Sequence, residues 1–517
     1  MYSKKKKRRL EERMFVKSIL FLWLALALVF FSPSGPQQIS KASSPQPGKP
    51  GETQDQSRIY LPAIMLEPCN GHCYYVDGIN GSDSNSGTSL ALPFRTIQKG
   101  IDAAHAGDTV YVRAGTYHEA IRIQYSGTAY ALIVIAGYPG ERPVIDGEYT
   151  LPVDNDEGCD PNPPYYCFNY KALVSIEGSY VVFKGFEVER SRGRGVRIWP
   201  NDHNEVNDCW IHDNRISGVL ILDSHDDTVR NSRIWLSGDF APYSRDPFYL
   251  GWPGALVVQS STDTTLRDNQ VYNNWGEGIV LATSDHILIM GNVTYDNYAT
   301  EIYSDRSSFL TIQRNLVYCT GTPPFLRDGY PGSGIGISDE PNTDGPLGSN
   351  YLVINNLVKG CSRNFSYWNA GQPGSGLRDT LIANNTFVNA GLGPGLGWPT
   401  GISINAGVHA NTRIMDNIVL QDYDTLIDVA YDAGLSYSNN LWSRTPVSYV
   451  ISPSDIIGDP VLAMVGATGP GQLNAEYFQP LSSSPAINNG TMIPEVIVDF
   501  FERARGDNPD IGAFELP

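Results

Sequence analysis

A 23-residue repeat in the middle of the chain constrains the fold more than any other feature. Residues 268–274 return in similar form as residues 291–297. The asparagines of successive copies, Asn269, Asn292 and Asn315, are evenly spaced at this period. Every copy also supplies a short strand rich in apolar residues. A fixed period of this size predicts a solenoid in which each repeat forms one turn.

The same register continues on both sides of this segment. It runs through Asp208, Asn231, Asn269, Asn292, Asn315, Asn356, Asn385, Asn417 and Asn440. Stacked asparagine side chains hydrogen-bond along the axis of a solenoid and satisfy amides that would otherwise be buried without partners. We therefore interpret this column as structural and not as a row of ligands.

Four steps of the register are longer than the common period, which indicates inserted loops. We place the extra residues after Leu236, Cys319, Cys361 and Ala390, at one corner of the solenoid. Loops that leave a solenoid at one corner form the wall of a groove, and exposed aromatic rings there suit the apolar faces of sugars. The candidate rings are Tyr243, Phe248, Tyr249, Trp252, Phe325, Tyr330, Tyr367, Trp368 and Trp398. The alternative is that such rings pack the loops onto the solenoid.

The N-terminus has the composition of a targeting segment. Residues 4–9 are an unbroken basic run, and residues 19–31 are apolar. Thirteen residues are too few for a comfortable membrane span but typical of a secretory signal. We expect residues 1–34 to be a signal peptide or an N-terminal membrane anchor, and the protein to be secreted or on the cell surface. Residues 35–68, rich in Pro, Ser and Gly, are expected to be a disordered linker.

Charge limits the partners of the remaining chain. The whole protein of 517 residues has a formal net charge of −18, and without residues 1–34 it has 29 basic and 53 acidic residues, a net charge of −24. Such a body disfavours nucleic acid, and it disfavours a membrane except through the N-terminal segment. An acidic polysaccharide would need locally concentrated basic residues or a bridging cation. We expect a monomer.

Seven cysteines fit an exported protein. Cys69 with Cys73, and Cys159 with Cys167, are close enough in sequence to form local disulfides. Cys209, Cys319 and Cys361 lie within the repeats, and we leave their pairing open. Because they are odd in number, at least one is expected to be a buried free thiol.

The residues after the linker resemble a known superfamily. Tyr74-Tyr75-Val76, the Gly- and Ser-rich residues 81–88, residues 93–98, residues 106–112 and residues 143–147 look like the opening of the right-handed parallel β-helix, or pectin-lyase-like, superfamily. The resemblance implies an all-β chain, a single-stranded right-handed parallel β-helix of about 9–11 turns with a short N-terminal capping helix. It also implies relatives among secreted polysaccharide lyases and glycoside hydrolases.

This resemblance suggests a division of the chain. Residues 69–150 would hold the cap and the first turns, with a helical pattern over residues 93–104. Residues 151–462 would form the repeats of the β-helix. Residues 463–517 would form a C-terminal segment that caps or follows the last turn.

The first candidate site lies at residues 222–228. A carboxylate and an imidazole two residues apart, Asp223 and His225, project from the same side of an extended segment and form an acid/base pair. With Asp226 they resemble the D-P-H-[DE] signature of mannuronan C5-epimerases, although Ser224 replaces the proline. Leu220 stands where those epimerases have a tyrosine, which weakens the epimerase interpretation. The alternative is a polar turn that closes a coil.

Arginines near this segment form a second candidate site, for substrate binding. They are Arg190, Arg192, Arg194 and Arg197, with Arg215, Arg230, Arg233 and Arg245 in the following turns. Arg192, Arg194 and Arg245, together with Tyr249 and Trp252, are the residues that we expect to hold a glycan. Guanidinium groups bind the carboxylate of a uronate and neutralise it during a lyase reaction. The alternative is ordinary surface pairing with the abundant acidic residues.

A third candidate is an acidic set that comprises Glu277, Glu301, Asp305, Asp339 and Glu340. Glu277 and Glu301 are separated by one period plus one residue and are expected on adjacent turns. Paired carboxylates suit a glycoside hydrolase. Glu277, Glu301 and Asp305 are equally candidates to bind a cation such as Ca²⁺.

We interpret the chain as an exported protein that acts on polysaccharide, most simply a lyase or a glycoside hydrolase on acidic or plant-type glycans. The alternative from another class is a non-catalytic glycan-binding surface protein or adhesin. The sequence does not select among these, and it does not show a dependence on Ca²⁺.

Overall fold

Parallel strands in three long sheets make up the protein. The computed structural model describes residues 71–152, 171–238, 254–341, 343, 345–393, 399–430 and 433–516. The chain passes from sheet A to sheet B to sheet C and back to sheet A, so each turn gives one strand to each sheet. The architecture is the predicted right-handed parallel β-helix, and its described residues form eleven complete turns.

The three sheets are defined by their strands. Sheet A contains Cys73–Val76, Thr109–Val112, Ile133–Gly137, Val181–Lys184, Glu205–Asn207, Thr228–Arg230, Thr265–Arg267, Leu288–Met290, Ser308–Gln313, Ser349–Ile354, Arg378–Ala383, Ala410–Met415 and Leu435–Ser438. Sheet B contains Thr116–Tyr117, Val144–Asp146, Glu187–Glu189, Trp210–His212, Arg233–Trp235, Gln270–Tyr272, Val293–Tyr295, Leu316–Tyr318, Leu357–Lys359, Thr386–Val388, Ile418–Leu420, Leu441–Trp442 and Ile456–Ile457. Sheet C contains Ile121–Ile123, Ala172–Ile176, Arg194–Ile198, Val219–Leu222, Leu256–Gln259, Ile279–Ala282, Thr300–Asp305, Ser333–Ser338, Arg363–Trp368, Thr400–Ile404 and Thr425–Val429.

The predicted capping helix is present as Ile97–Ala103. Thr96 is its N-cap and accepts a hydrogen bond from the Lys99 backbone N–H. The helix buries Ile97 and Ile101 against the first turns and covers the open end of the core. A short 3₁₀ helix, Ala475–Phe478, lies in the C-terminal segment. No helix among the described residues is long and apolar enough to cross a membrane.

Each turn buries only a few apolar side chains, because its strands are short. In one turn these are Leu266 of sheet A, Val271 of sheet B, and Ile279 and Leu281 of sheet C, all fully buried. Stability therefore depends on stacking between turns, where strands pair about 4.8 Å apart.

The asparagine column lies between sheets A and B and is structural, as predicted. The Oδ1 of Asn292 accepts hydrogen bonds from the backbone and the side-chain amide of Asn269, and the bonds repeat from Asn269 to Asn440. The prediction was wrong by one residue at its N-terminal end, where Cys209 and Ser232 occupy the column.

Asp208 and Asn231, which the sequence register had placed in the column, lie one residue earlier. Their φ angles are 49° and 51°, and Asp268 has the same left-handed conformation at 57°. Asn and Asp tolerate this region better than most residues. Asparagine is thus favoured at two neighbouring positions, one in the buried column and one with a left-handed backbone. The 23-residue period alone does not distinguish the two.

The inserted loops leave the solenoid at two corners and not at one. Those after Leu236, Cys319 and Ala390 follow strands of sheet B, as predicted. The prediction for Cys361 was wrong, because the next strand of sheet C begins at Arg363 and the extra residues follow Trp368 instead. A length difference between repeats does not reveal which strand precedes the insertion.

The cysteines of the repeats resolve into one pair and one thiol. Cys319 and Cys361 form a disulfide with Cα atoms 4.8 Å apart, and Cys209 is a buried free thiol, as expected from their odd number. Cys73 is disulfide-bonded. Cys69, Cys159 and Cys167, like residues 1–68, lie outside the described residues.

The C-terminal segment covers the outer side of sheet B in the later turns. Leu473, Tyr477, Phe478 and Phe514 form one apolar cluster with residues of sheet B such as Tyr318. Ile493 and Val496 pack on Ile354, Leu381 and Ala383 of sheet A. The segment therefore lies along sheets A and B of the later turns.

Candidate functional site

A group of polar side chains lies on the outer face of sheet C, in the turns where inserted loops flank both edges. Strand Thr300–Asp305 buries Ile302 and Ser304 in the core and turns Tyr303 and Asp305 outward. Ser338 pairs in register with Asp305 on the next strand. We call Glu277, Tyr303, Asp305 and Glu340 the sheet C carboxylate group.

Hydrogen bonds fix three members of this group relative to one another. The Tyr303 hydroxyl donates to Glu340 Oε1 at 2.6 Å and lies 2.8 Å from Ser338 Oγ. Asp305 Oδ1 accepts hydrogen bonds from Ser338 Oγ and from the Glu340 backbone N–H, both at 2.8 Å. Thr343 donates its hydroxyl to Asp305 Oδ2. Asp305 is buried, whereas Tyr303 and Glu340 remain partly accessible.

Glu277, two residues before the sheet C strand Ile279–Ala282, is the carboxyl of the group whose pKa is raised. Burial raises the pKa of its carboxyl to about 8, and the negative charges of Glu340 and Asp305 add to the increase, while Arg327 opposes it. Glu277 therefore holds a proton at neutral pH beside carboxylates. Burial, followed by the charge of Glu340, also raises the pKa of the Tyr303 phenol.

Two loops form the walls of this region. The loop after Cys319 packs its Phe325 ring on Trp275, with ring centroids 4.8 Å apart. The other loop follows Ser338 and carries Glu340 and Thr343. Of the predicted loop aromatics, Phe325 is buried and Tyr330 is 41% exposed. Tyr367 and Trp368 lie on the strand Arg363–Trp368 and not on a loop, because the insertion begins only after Trp368; Tyr367 is buried in the core, and Trp368 is 48% exposed. Tyr243, Phe248, Tyr249, Trp252 and Trp398 lie outside the described residues.

Glu301 is separated from the other two carboxylates proposed to bind a cation. It is fully buried and accepts hydrogen bonds from the backbone and side-chain amides of Asn297. The Gly278 backbone N–H on the neighbouring turn donates a hydrogen bond to the carbonyl of Thr300 and not to that of Glu301. Among the described residues, the groups whose ligand atoms converge within 4.8 Å do not include Glu277 or Asp305. Asp339 is also buried and accepts from Tyr367.

Asp223, His225 and Asp226 lie at the corner between sheets C and A. His225 Nε2 is 2.6 Å from Asp202 Oδ2 of the preceding turn, and its Nδ1 is 3.5 Å from Asp226 Oδ2. His203 Nδ1 is 3.4 Å from the same Asp226 oxygen. Asp223 is exposed, and its backbone N–H donates to Gln259. The short carboxylate–imidazole contact of His225 is thus made with Asp202 of the preceding turn. Asp226 lies beside the same imidazole at a longer distance.

The predicted arginines are distributed over several surfaces. Arg194 is buried on a strand of sheet C and donates to Ser217. Arg197, on the same strand, pairs with Glu177 at 3.1 Å. Arg190 follows a strand of sheet B and pairs with Asp146. Arg192 precedes the strand of Arg194, and Arg245 lies outside the described residues.

Several partners in these groups were not predicted from the sequence. Tyr303 had a usable signal, because it alternates with Asp305 on a short strand and so shares its face. Asp202 had another, because it precedes His225 by one full repeat. Arg327 and Thr343 had none, because they reach the group from loops whose paths the period does not specify.

Comparisons with known proteins agree with the fold. Residues 74–246 match the family model "Pel9A-like, right handed beta helix region", and residues 248–392 match "Periplasmic copper-binding protein (NosD)". The crystal structure of pectate lyase Pel9A superposes with a TM-score of 0.51 at 20% identity and covers 87% of this chain and 97% of that one. At this identity the likeness concerns the fold.

Two curated proteins are similar in sequence over shorter stretches. The uncharacterized protein YwoF of Bacillus subtilis (strain 168) is 27% identical over 221 residues, 42% of this chain and 45% of that protein. Pectate lyase PEL9 of Emericella nidulans is 44% identical over 85 residues, 16% of this chain and 20% of that protein. The chain thus spans less than half the length of these two relatives.

Proposed function

The chain is a right-handed parallel β-helix protein with the fold of pectate lyase Pel9A, and on that basis we propose that it acts on a polysaccharide at the outer face of sheet C. The observation that carries the proposal is the sheet C carboxylate group, in which a buried, protonated Glu277 lies beside the charges of Glu340 and Asp305. In glycoside hydrolysis, a carboxyl with a raised pKa donates the proton, and a second carboxyl group acts as the base or the nucleophile.

The favoured reaction is hydrolysis of a glycosidic bond. Glu277 donates its proton to the glycosidic oxygen as that oxygen leaves the anomeric carbon. Glu340, held by the Tyr303 hydroxyl at 2.6 Å, provides the carboxylate that stabilises the positive charge developing on the sugar. Water supplies the hydroxyl group of one product, and its remaining proton restores Glu277.

A lyase reaction on a uronate polymer is the second candidate, supported by the pectate lyase relatives. It requires positive charge at the site to neutralise the substrate carboxylate. Arg327 is a cation within electrostatic range of Glu277, where the charges of Glu340 and Asp305 also act. This balance favours a neutral glycan, unless a cation such as Ca²⁺ accompanies the substrate. A non-catalytic glycan-binding protein is the third candidate.

The copper-binding name of the second family model receives no support from ligand geometry. Within residues 248–392, the one group of three converging ligand side chains among the described residues is Glu301, Cys319 and Cys361. Because the disulfide engages both sulfurs, no thiolate remains to bind copper.

Export is part of the proposal. The Cys319–Cys361 disulfide supports it, because disulfides persist in oxidising compartments outside the cytosol. Residues 1–34 would then act as a signal peptide or an anchor. Intact mass of the protein recovered from the culture medium and from membranes distinguishes cleavage from anchoring.

The test of function is a substrate panel of xylan, arabinan, polygalacturonate and alginate, each with and without Ca²⁺. Hydrolysis releases reducing ends without ultraviolet absorbance, whereas a lyase releases both. We expect reducing ends alone, and their loss in Glu277→Gln. Glu301→Gln, which alters a second buried glutamate outside the group, is the matched control. Absorbing products would identify a lyase, and binding without product would identify a glycan-binding protein.

A further inference from the structure

A second cluster of ligand-type side chains lies on the outer face of sheet B, in turns that precede the sheet C carboxylate group. Glu187 and Glu189 are on one strand and His212 is on the next, with Glu189 and His212 directly paired in register. The intervening Val188 and Ile211 are fully buried. Because side chains alternate along a strand, the two glutamates and the imidazole share the outer face.

The imidazole points one nitrogen at both glutamates. His212 Nε2 is 3.0 Å from Glu187 Oε1 and 3.8 Å from Glu189 Oε2. A tetrahedral Zn²⁺ ion holds N and O ligands at about 2.0–2.2 Å, which places neighbouring ligand atoms about 3.4 Å apart. The two observed separations bracket this value, and the three ligand atoms lie within 4.8 Å of one another.

The other side of the imidazole is supported as in known metal sites. Asp213 Oδ2 lies 2.6 Å from His212 Nδ1, which fixes the ring and leaves Nε2 toward the glutamates. The Trp235 ring stacks on the imidazole with centroids 4.1 Å apart. A metal-bound histidine characteristically donates its second N–H to a carboxylate. Asp213 therefore provides an observation separate from the ligand triad itself.

Exposure and charge leave the cluster open to an ion. The His212 side chain is 9% exposed, whereas Glu187 and Glu189 are 24% and 23% exposed, so access is from the glutamate side. Arg190 lies 3.7 Å from Glu189 Oε1, the oxygen that does not face His212. The ion pair with Arg190 at Oε1 thus orients Oε2, the oxygen needed as a metal ligand, toward His212.

We propose that Glu187, Glu189 and His212 form a site for a divalent transition-metal ion of the Zn²⁺ type, with Asp213 as the residue that orients the histidine. One imidazole with two carboxylates suits Zn²⁺, whereas Ca²⁺ prefers sites made only of oxygen. Three protein ligands leave a fourth position for water. The site is separate from the sheet C carboxylate group and independent of the proposed glycan chemistry.

The experiment measures Zn²⁺ binding to tag-free full-length protein treated with a chelator, by isothermal titration calorimetry at pH 7.5. We expect one saturable Zn²⁺ site and at least 10-fold weaker binding of Ca²⁺. Glu187→Gln and His212→Ala abolish that site, and Asp213→Asn weakens it about 10- to 100-fold. Zn²⁺ also raises the melting temperature of the native protein but not of Glu187→Gln.

The control is His225→Ala, which removes one of the two histidines of another group of converging ligand side chains, Asp202, His203 and His225, at the corner between sheets C and A. Zn²⁺ binding is expected to survive this change. Absence of a saturable site overturns the proposal, as does binding that persists in Glu187→Gln or disappears in His225→Ala alone. If His212→Ala does not fold, as judged by circular dichroism, Glu187→Gln decides the outcome. None of these results depends on glycan cleavage.

Discussion

The Tyr303 hydroxyl donates a hydrogen bond of 2.6 Å to Glu340 Oε1 and thereby links a strand of sheet C to the loop that follows the next strand. Replacing Tyr303 by Phe removes this bond while keeping the ring. We expect kcat on the active substrate of the panel to fall about 10- to 100-fold, because an unheld carboxylate is no longer preorganised. Steady-state kinetics measure the change. Tyr423→Phe, which removes a hydroxyl bonded to Gly391, should leave kcat unchanged.

The alkaline limb of the pH–activity profile, where activity falls as pH rises, should reflect the loss of the proton from Glu277. Its pKa is raised to about 8, so the carboxyl is protonated below that pH and loses its proton above it. A general acid is active only while protonated, and kcat/KM should therefore fall above about pH 8. Glu277→Gln should be nearly inactive across the range. The pH profile of Glu301→Gln should keep the same alkaline limb, and a limb that moves in that variant would contradict the assignment.

Trp368 should contribute to substrate binding and not to the chemical step. Its exposed ring pairs in register with Ser338, which pairs with Asp305, so it lies about 10 Å from Asp305 along the axis. Trp368→Ala should raise KM about 5- to 50-fold with little change in kcat, because a sugar face loses its stacking partner.

The matched control for this change is Trp199→Ala. Trp199 is 37% exposed after another strand of sheet C, but the Arg197 guanidinium lies 4.9 Å from its ring centroid. Its KM should equal that of the native protein. Equal losses in both variants would indicate a general effect on the fold and not a sugar-binding site.

The sequence was sufficient for the fold because the same 23-residue period recurs between several successive turns. The even step from Asn269 to Asn292 predicted stacked turns, and the structure places their amides in direct contact. The same period holds for Asp202 and His225, which pair across adjacent turns. Spacing predicts such contacts because the strand register repeats once per turn.

The candidate site was less predictable because its residues come from irregular segments. Glu301 follows Glu277 by one residue more than the period, and its side chain bonds to Asn297 and not to the sheet C carboxylate group. Glu301 alternates with Tyr303 and Asp305 along its strand, but the amides of Asn297 at the preceding corner hold its carboxylate away from them. Glu340 and Thr343 belong to an inserted loop, and no repeat specifies the path of such a loop.

Stability should depend on pH through Asp227. Burial raises its pKa to about 7, although Ser224 and the Asn204 backbone N–H donate to the carboxylate. The folded state therefore binds a proton more tightly than the unfolded state, and the free energy of unfolding should decrease as pH rises from about 4 to about 7. Asp227→Asn should remove about 2–4 kcal/mol of this decrease and be more stable than the native protein at pH 8. Denaturant unfolding at pH 4.5 and pH 8 tests this, with the exposed neighbour Asp226→Asn as the control that keeps the native slope.

The last prediction concerns the asparagine column and also tests which residues belong to the column. Asn292 Oδ1 accepts from the backbone N–H and side-chain amide of Asn269, and its own amide donates to Leu266 and Asn315. Asn292→Ala leaves buried donors without partners and should cost about 2–4 kcal/mol of unfolding free energy. Asn231→Gly changes an exposed residue with φ of 51°, where glycine is well tolerated, and should cost less than about 1 kcal/mol. Chemical denaturation compares the two. A large loss for Asn231→Gly would restore Asn231 to the column in place of Ser232.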